Sequence, residues 1–228
     1  MTRLDGMKIL IAEDEPFMRN VLYATLVNQG ATVYSYEDGE AALAAMESRS
    51  LDIEAVLLDF MMPKAHGLHV LKEIRAGRTS QPRGLPVGML TSASDQRTVA
   101  LSVRLDCDAF IVKPLQKPVL LERMERLRDR LGREARPVEF YEAVDVGAPG
   151  SVIADRGIDL GEIELGLDSA QGVRMALADL LMGMTLAEDL RIKGGEVVVP
   201  KGITITDELL AVLHDLDKIM PLPAVAIA

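Results

Sequence analysis

Along the first 130 or so residues, the apolar positions alternate between two rhythms. The run MKILIA (Met7–Ala12) predicts a short buried strand. Pro16 then opens a stretch with Met18, Val21, Leu22 and Leu26 at helical spacing, and Gly30 ends it. ATVYSY predicts a second strand, and Asp38 supplies the cap of a short alanine-rich helix. EAVLLD is the third strand, followed by a loop and a helix carrying Val70, Leu71 and Ile74. LPVGMLT makes a fourth strand, and DQRTVALSVRL a weaker helix. AFIV is the fifth strand, with a last helix from about Pro118 to Arg133.

Five strands alternating with five helices predict an α/β fold, a parallel sheet covered on both faces. Its simplest form is the flavodoxin-like doubly wound order, in which ligands lie beyond the C-terminal strand ends. The pattern changes after Arg136–Pro137. VGAPGS (Val146–Ser151) and glycines 157, 161 and 166 suggest loops and short strands. KGGE and PKG read as turns, and Thr206 caps a helix opened by Asp207 and Glu208. Val173, Leu177, Leu180 and Leu181 fit a helical stripe or, equally, a strand with a turn at Gly183. The expected organisation is a first domain over 1–133, a linker over 134–151 and a smaller β-rich α+β module over 152–228.

Charge divides the chain at the same place. Residues 1–136 carry 19 acidic and 19 basic side chains, whereas 137–228 carry 16 and 6, so the net charge of −10 resides in the second part. A phosphate backbone would be repelled there, so no DNA contact is expected. Tryptophan is absent and Cys107 is the only cysteine, which excludes an internal disulfide. The N-terminus does not read as a signal peptide, and no apolar run approaches the roughly 20 residues a membrane span needs. A soluble cytoplasmic protein without membrane contact is expected.

The positions just past the predicted strand ends are Glu13 and Asp14, Asp59, Thr91 and Lys113. Three carboxylates on one rim repel one another unless a hard cation joins them. Magnesium binds one or two carboxylates, keeps waters and recruits a phosphate. Lys113 adds a positive charge and Thr91 a donor for a phosphoryl oxygen. The group suits phosphoryl transfer to a carboxylate, with Asp59 as nucleophile.

With LIAEDEP, LLDFMMPKAHGL, LTSAS and FIVKPL in order, residues 5–133 resemble the receiver domain of two-component response regulators. Asp14, Asp59, Thr91 and Lys113 follow at spacings of 45, 32 and 22 residues. The resemblance implies that a sensor histidine kinase or phosphotransfer protein donates phosphate to Asp59. It implies Mg2+ held by Glu13, Asp14, Asp59 and the backbone carbonyl of Met61. It also implies a switch pair, Thr91 and Phe110, a cis Lys113–Pro114 bond, and no enzymatic turnover beyond self-catalysed transfer to Asp59. Two positions depart from the usual pattern. His66 stands where an acid often precedes the glycine, and Met61 offers an attacking water no side-chain hydrogen bond.

Competing readings of the first part are weaker. A haloacid-dehalogenase phosphatase needs an acid where Met61 stands, and EDEP would repel a flavodoxin's phosphate. His66 and His69 lack neighbouring cysteine or carboxylate ligands for a metal. The arginines 123, 126, 128, 130, 133 and 136 read as a solvated face, and Leu120, Met124, Leu127 and Leu131 as core rather than coiled coil. Family precedent also allows a homodimer through the fourth and fifth helices.

In the second part, GGEVV lacks the second acid of a diguanylate cyclase signature. His214–Asp215 lacks the further histidines of a metal phosphohydrolase, and DSAQG lacks the preceding arginines of a PilZ-type site. The stretch LMGMTLAEDLRIKGGEVVVPKGITITDELLAVL resembles an accessory segment beside some HD-GYP signalling proteins, which implies a β-rich module without catalytic residues. Output through an unidentified downstream protein is therefore expected. The alternative is an unfamiliar or degenerate cyclic-dinucleotide signalling domain.

Overall fold

A computed structural model describes residues 3–48, 51–91, 96–147, 173–192 and 195–228. The stretches VGAPGS and DSAQG, the glycines at 157, 161 and 166, and much of LTSAS lie wholly or partly outside them. Five strands form one parallel sheet: β1 (Lys8–Ala12), β2 (Thr32–Tyr36), β3 (Ala55–Asp59), β4 (Val87–Thr91) and β5 (Ala109–Val112). Their order is β2-β1-β3-β4-β5, the expected doubly wound arrangement. Every residue of β3 and β4 is buried, as strands covered on both faces must be, while edge strand β2 keeps two exposed positions.

Helices α1 (Pro16–Val27), α2 (Gly39–Glu47), α3 (Gly67–Arg75), α4 (Gln96–Arg104) and α5 (Lys117–Arg128) alternate with the strands. Pro16 stands in the first turn of α1, where the Glu15 carboxylate accepts from Phe17 N and Met18 N at 2.9 and 2.6 Å. Asp38 caps α2 by accepting from Ala41 N at 2.8 Å. Val21, expected on the core face of α1, is 37% exposed, while Leu22 and Leu26 are buried. One apolar cluster, with Ile9, Leu22, Leu57, Ile111 and Leu120, lies under α1 and α5. The other lies under α2, α3 and α4 and continues into the C-terminal residues.

The last helix is shorter than its apolar pattern predicts. It caps at Asp129, the chain turns through Gly132 at φ +84°, and Leu131 is left 42% exposed. That turn takes the arginines where a longer helix could not. Arg130 and Arg133 lie 3.2 and 3.0 Å from Asp108 Oδ1, a fully buried carboxylate. Asp108 also pairs with fully buried Arg75 at 3.0 Å and accepts from Val87 N at 2.9 Å. Arg75 in turn donates to the carbonyls of Leu105, Arg83, Leu85 and Asp106. The solvated face expected of the arginine run is therefore wrong for these positions. Their partners are buried acids remote in sequence, which offset the desolvation of the guanidinium groups.

Beyond Arg136, a one-turn helix α6 (Val138–Glu142) lies against α3. Lys72 Nζ donates to Glu142 O and Val144 O at 3.2 and 2.7 Å. Buried Tyr141 donates to Asp106 at 2.7 Å, and burial, reinforced by that carboxylate, pushes its phenol up to about 12. Cys107 lies in the same region, buried, with its thiol raised by burial to about 12.

The C-terminal residues form two small antiparallel pairs and a helix, as the β-rich α+β expectation required. β6 (Val173–Met175) pairs with β9 (Val225–Ile227), and β7 (Leu190–Arg191) with β8 (Val197–Val199). The ambiguous stretch before Gly183 is a strand and then a single 3-10 turn, Leu177–Asp179, with Gly183 at φ +91°. Helix α7 (Asp207–Ile219) is capped by Thr206, whose hydroxyl accepts from Leu209 N at 3.2 Å.

Candidate functional site

Parallel pairing in register brings the C-terminal ends of β1, β3, β4 and β5 to one rim. Ala12 pairs with Leu58, Asp59 with Leu90 and Thr91 with Val112. Glu13 and Asp14 therefore follow β1 on one side of Asp59, and Thr91 and Lys113 stand on the other. The crevice between β1 and β3 is where the strand order reverses, the place at which such sheets bind ligands.

Glu13 is fully buried, Asp59 is 6% exposed and Asp14 is exposed. One carboxylate oxygen from each lies within 4.8 Å of the other two. Lys113 Nζ stands 2.8 Å from Glu13 Oε2 and 3.0 Å from Asp59 Oδ1. Burial raises the Glu13 pKa, and Asp59 adds to this, while Lys113 opposes it. Burial likewise raises that of Asp59, with Asp14 reinforcing and Lys113 opposing. Burial opposes the charged form of Lys113, yet its contacts with Glu13 and Asp59 leave its pKa raised. One ammonium group therefore does not satisfy the site. The Lys113 ammonium is shared between Glu13 and Asp59, so three grouped carboxylates face one cation. Oxygen-rich, hard and short of positive charge, this donor set fits a divalent cation of the magnesium class.

Thr91 is 1% exposed at the end of β4, and Phe110 is 2% exposed on β5, within the cluster that runs into the C-terminal residues. Met61 is 46% exposed, and because its thioether is too soft a donor for a hard cation, its backbone carbonyl is the group it could offer a metal. The Lys113–Pro114 bond is cis. His66 serves the fold rather than a metal, for its Nδ1 accepts from His69 N at 3.1 Å and caps α3 as a carboxylate would.

Three contributors are not apparent from sequence. Arg19, one turn into α1, donates to Glu13 O and Asp14 O at 2.8 and 3.2 Å and fixes the acidic turn. Lys64, at φ +64°, pairs with buried Asp38 at 2.6 Å and ties the loop after β3 to the start of α2. The Lys64 hydrogen bond holds the Asp38 carboxyl below its usual range. Gly67 is required by closeness: a Cβ there would lie 2.3 Å from the Asp59 carbonyl oxygen. Gly67→Ala must push back the backbone that carries Asp59. It is expected to cost roughly 1–3 kcal/mol in denaturant unfolding and to loosen metal binding together with stability. The glycine two after Ala65 is visible in the sequence, but its contact with β3 is not.

A family model, "Response regulator receiver domain", matches residues 9–125. The chain belongs to the response-regulator receiver family. It is 31% identical over 164 residues to "DNA-binding response regulator MtrA" of Mycolicibacterium smegmatis, covering 71% of this chain and 68% of that protein. It is 28% identical over 191 residues to "Transcriptional regulatory protein CpxR" of Klebsiella pneumoniae, covering 84% and 75%. In fold it matches a CheY-like receiver domain protein from Methanospirillum hungatei with a TM-score of 0.50 at 24% identity, over 55% of this chain and 97% of that one. These likenesses make the chain a receiver of two-component signalling. They give no support to the accessory-segment resemblance of the second part, nor to the expectation that it avoids DNA, since one relative is named a DNA-binding response regulator and the other a transcriptional regulatory protein. Among the described residues, no helix is long and apolar enough to cross a membrane.

Proposed function

We propose that this receiver accepts a phosphoryl group on Asp59 from a sensor histidine kinase or a phosphotransfer protein. The observation that carries this reading is Lys113 Nζ, 3.0 Å from Asp59 Oδ1, beside carboxylates of Glu13 and Asp14 grouped with that of Asp59 within 4.8 Å. An Asp59 oxygen attacks the phosphorus of a phosphohistidine; the P–N bond breaks, a P–O bond forms, and the imidazole leaves and takes up a proton. Lys113 pairs with the oxygens of the transferring group, and the Thr91 hydroxyl donates to one of them once transfer is complete. Magnesium held by Glu13, Asp14, Asp59 and the Met61 carbonyl would neutralise charge between acceptor and phosphoryl oxygens. Arg19 keeps the acidic turn in place. The chain's chemistry ends with its own modification, so it is not a turnover enzyme.

Output through protein contacts is supported by the second part. Residues 173–228 carry 8 acidic and 5 basic side chains. Among the described residues of 173–228 the single α-helix is α7, and its Asp215 is engaged with the receiver.

The test is incubation of the full chain with acetyl phosphate, with and without Mg2+, followed by phosphate-affinity electrophoresis and peptide mapping. Acid-stable, alkali-labile phosphate on Asp59 only with Mg2+ is expected. Modification elsewhere, or none in any condition, would sink the assignment.

Metal binding should depend on pH in a defined sense. The raised carboxyls of Glu13 and Asp59 keep their protons to higher pH in the folded chain than in the unfolded one. Without metal, they favour the fold below the ordinary carboxylate range, and that contribution fades as pH rises through their folded values. Mg2+ requires the ionised forms, so its affinity should fall as pH drops from neutrality toward the carboxylate range. Calorimetric titration at a series of pH values would show proton release on binding.

A further inference from the structure

The loop from Phe60 to Gly67 carries the Met61 carbonyl and is tied down at both ends. Phe60 N donates to Leu90 O of β4 at 3.3 Å, and Gly67 N donates to Phe60 O at 3.1 Å. Phe60 and Met62 are buried in the apolar cluster under α2, α3 and α4, with exposed Met61 between them. The far side of the loop meets α2. A Cβ on Gly39, the first residue of that helix, would lie 2.1 Å from the Ala65 carbonyl oxygen, so the two backbones are in direct contact. Beside that contact, Lys64 Nζ stands 2.6 Å from Asp38 Oδ2. The other oxygen of the same carboxylate accepts from Ala41 N at 2.8 Å and caps α2.

Three features set this pair apart from an ordinary surface ion pair, which contributes little. The Asp38 side chain is 3% exposed, so its charge faces the protein and not water. Lys64 holds φ at +64°, a left-handed backbone that a residue with a side chain keeps only where its surroundings impose it. Both oxygens of Asp38 are committed, one to the loop and one to the first turn of α2. One carboxylate thus joins the loop beside the acceptor to a helix that supplies no metal ligand.

The geometry points to the Lys64–Asp38 pair as the positioning device of the magnesium loop. It holds the loop in the form that presents the Met61 carbonyl to the metal, and it couples metal binding to the cap of α2. This rests on the metal and acceptor reading of the rim above. Neither side chain belongs to the ligand set; both act through the loop backbone. Linkage makes the coupling reciprocal: loosening the cap weakens the metal, and bound metal tightens the cap.

The test uses the full chain with Asp38→Asn, Lys64→Asn and both together. Asparagine keeps an N-cap at 38 and tolerates the left-handed backbone at 64, so each substitution removes the ion pair and little else. Calorimetric titration should show Mg2+ binding about tenfold weaker in each single variant, the scale of loss when a residue that orients a metal ligand is removed. The double variant should bind no more weakly than either single one, and Lys64→Arg should bind as the unmodified chain does. In the unmodified chain, Mg2+ should slow hydrogen exchange in the first turn of α2, and the asparagine variants should lose that protection. Lys64→Asn strands a buried carboxylate, so its Tm should fall; the double variant strands no charge and should regain the Tm but not the affinity. Unchanged Mg2+ affinity in the single variants would overturn the proposal. So would a Tm and an affinity that fall and recover together, since the pair would then be structural only. Weaker binding without any Mg2+-dependent protection of α2 in the unmodified chain would overturn the coupling to the cap. If the unmodified chain binds no Mg2+, the metal reading of the rim fails and the proposal falls with it.

Discussion

Asp59→Asn should leave a folded protein that takes up no phosphate from acetyl phosphate or from a phosphohistidine donor. The substitution keeps the shape and removes only the nucleophilic carboxylate, so the rate should fall by a factor on the order of the whole catalysed reaction, beyond about 10³. Stability should not fall with it. Burial raises the Asp59 pKa, which means that its ionised form costs the fold more than Lys113 returns. An amide at this site relieves that cost and the repulsion from Asp14. Thermal unfolding without Mg2+ should therefore show an unchanged or higher Tm, while added Mg2+ should stabilise the variant less than the unmodified chain. A loss of both folding and phosphate uptake would make the residue structural rather than reactive.

Asp108→Ala is expected to give the largest loss of stability. Its carboxylate is fully buried and meets Arg75, Arg130 and Arg133 as well as Val87 N. Removing it leaves Arg75 with no exposed surface and only carbonyl acceptors, in a place where burial already lowers its pKa. Breaking one partner out of a buried pair costs ~3–5 kcal/mol. In a chain of this size, that is a fall in Tm on the order of 10 °C. Differential scanning calorimetry would measure it. Asp108→Ala with Arg75→Met should recover part of the loss, because a buried charge no longer lacks a partner. A Tm within a degree or two of the unmodified chain would show that the network contributes little.

The receiver fold and its rim are legible in the sequence because each depends on local pattern. Strands buried on both faces read as unbroken apolar runs, so an acid such as Asp59 at the end of one stands out. Glu13, Asp14, Thr91 and Lys113 can be grouped because parallel topology sends all strand ends to one edge. The arginines of α5 and of the turn after it mislead for the opposite reason. Their meaning depends on Asp108 and Asp215, and Asp215 lies 92 residues from Arg123. Periodicity reports which side of a helix is apolar, and a guanidinium paired beneath a docked module gives the same signal as one in water. Residues 173–181 resist reading for another reason: a three-residue strand and a single 3-10 turn are too short to express either period. Arg19 is hidden because its acceptors are backbone carbonyls, which every sequence supplies.

The state of Cys107 has a practical consequence for spectroscopy. Its thiol is buried, raised to about 12 and hydrogen-bonded to the carbonyls of Val87 and Ala109. At neutral pH it holds almost no thiolate, so maleimide reagents will pass it by. The natural chain thus serves as its own cysteine-free background. A cysteine placed at Met182, which is 69% exposed, would be the one site a fluorophore or spin label could reach.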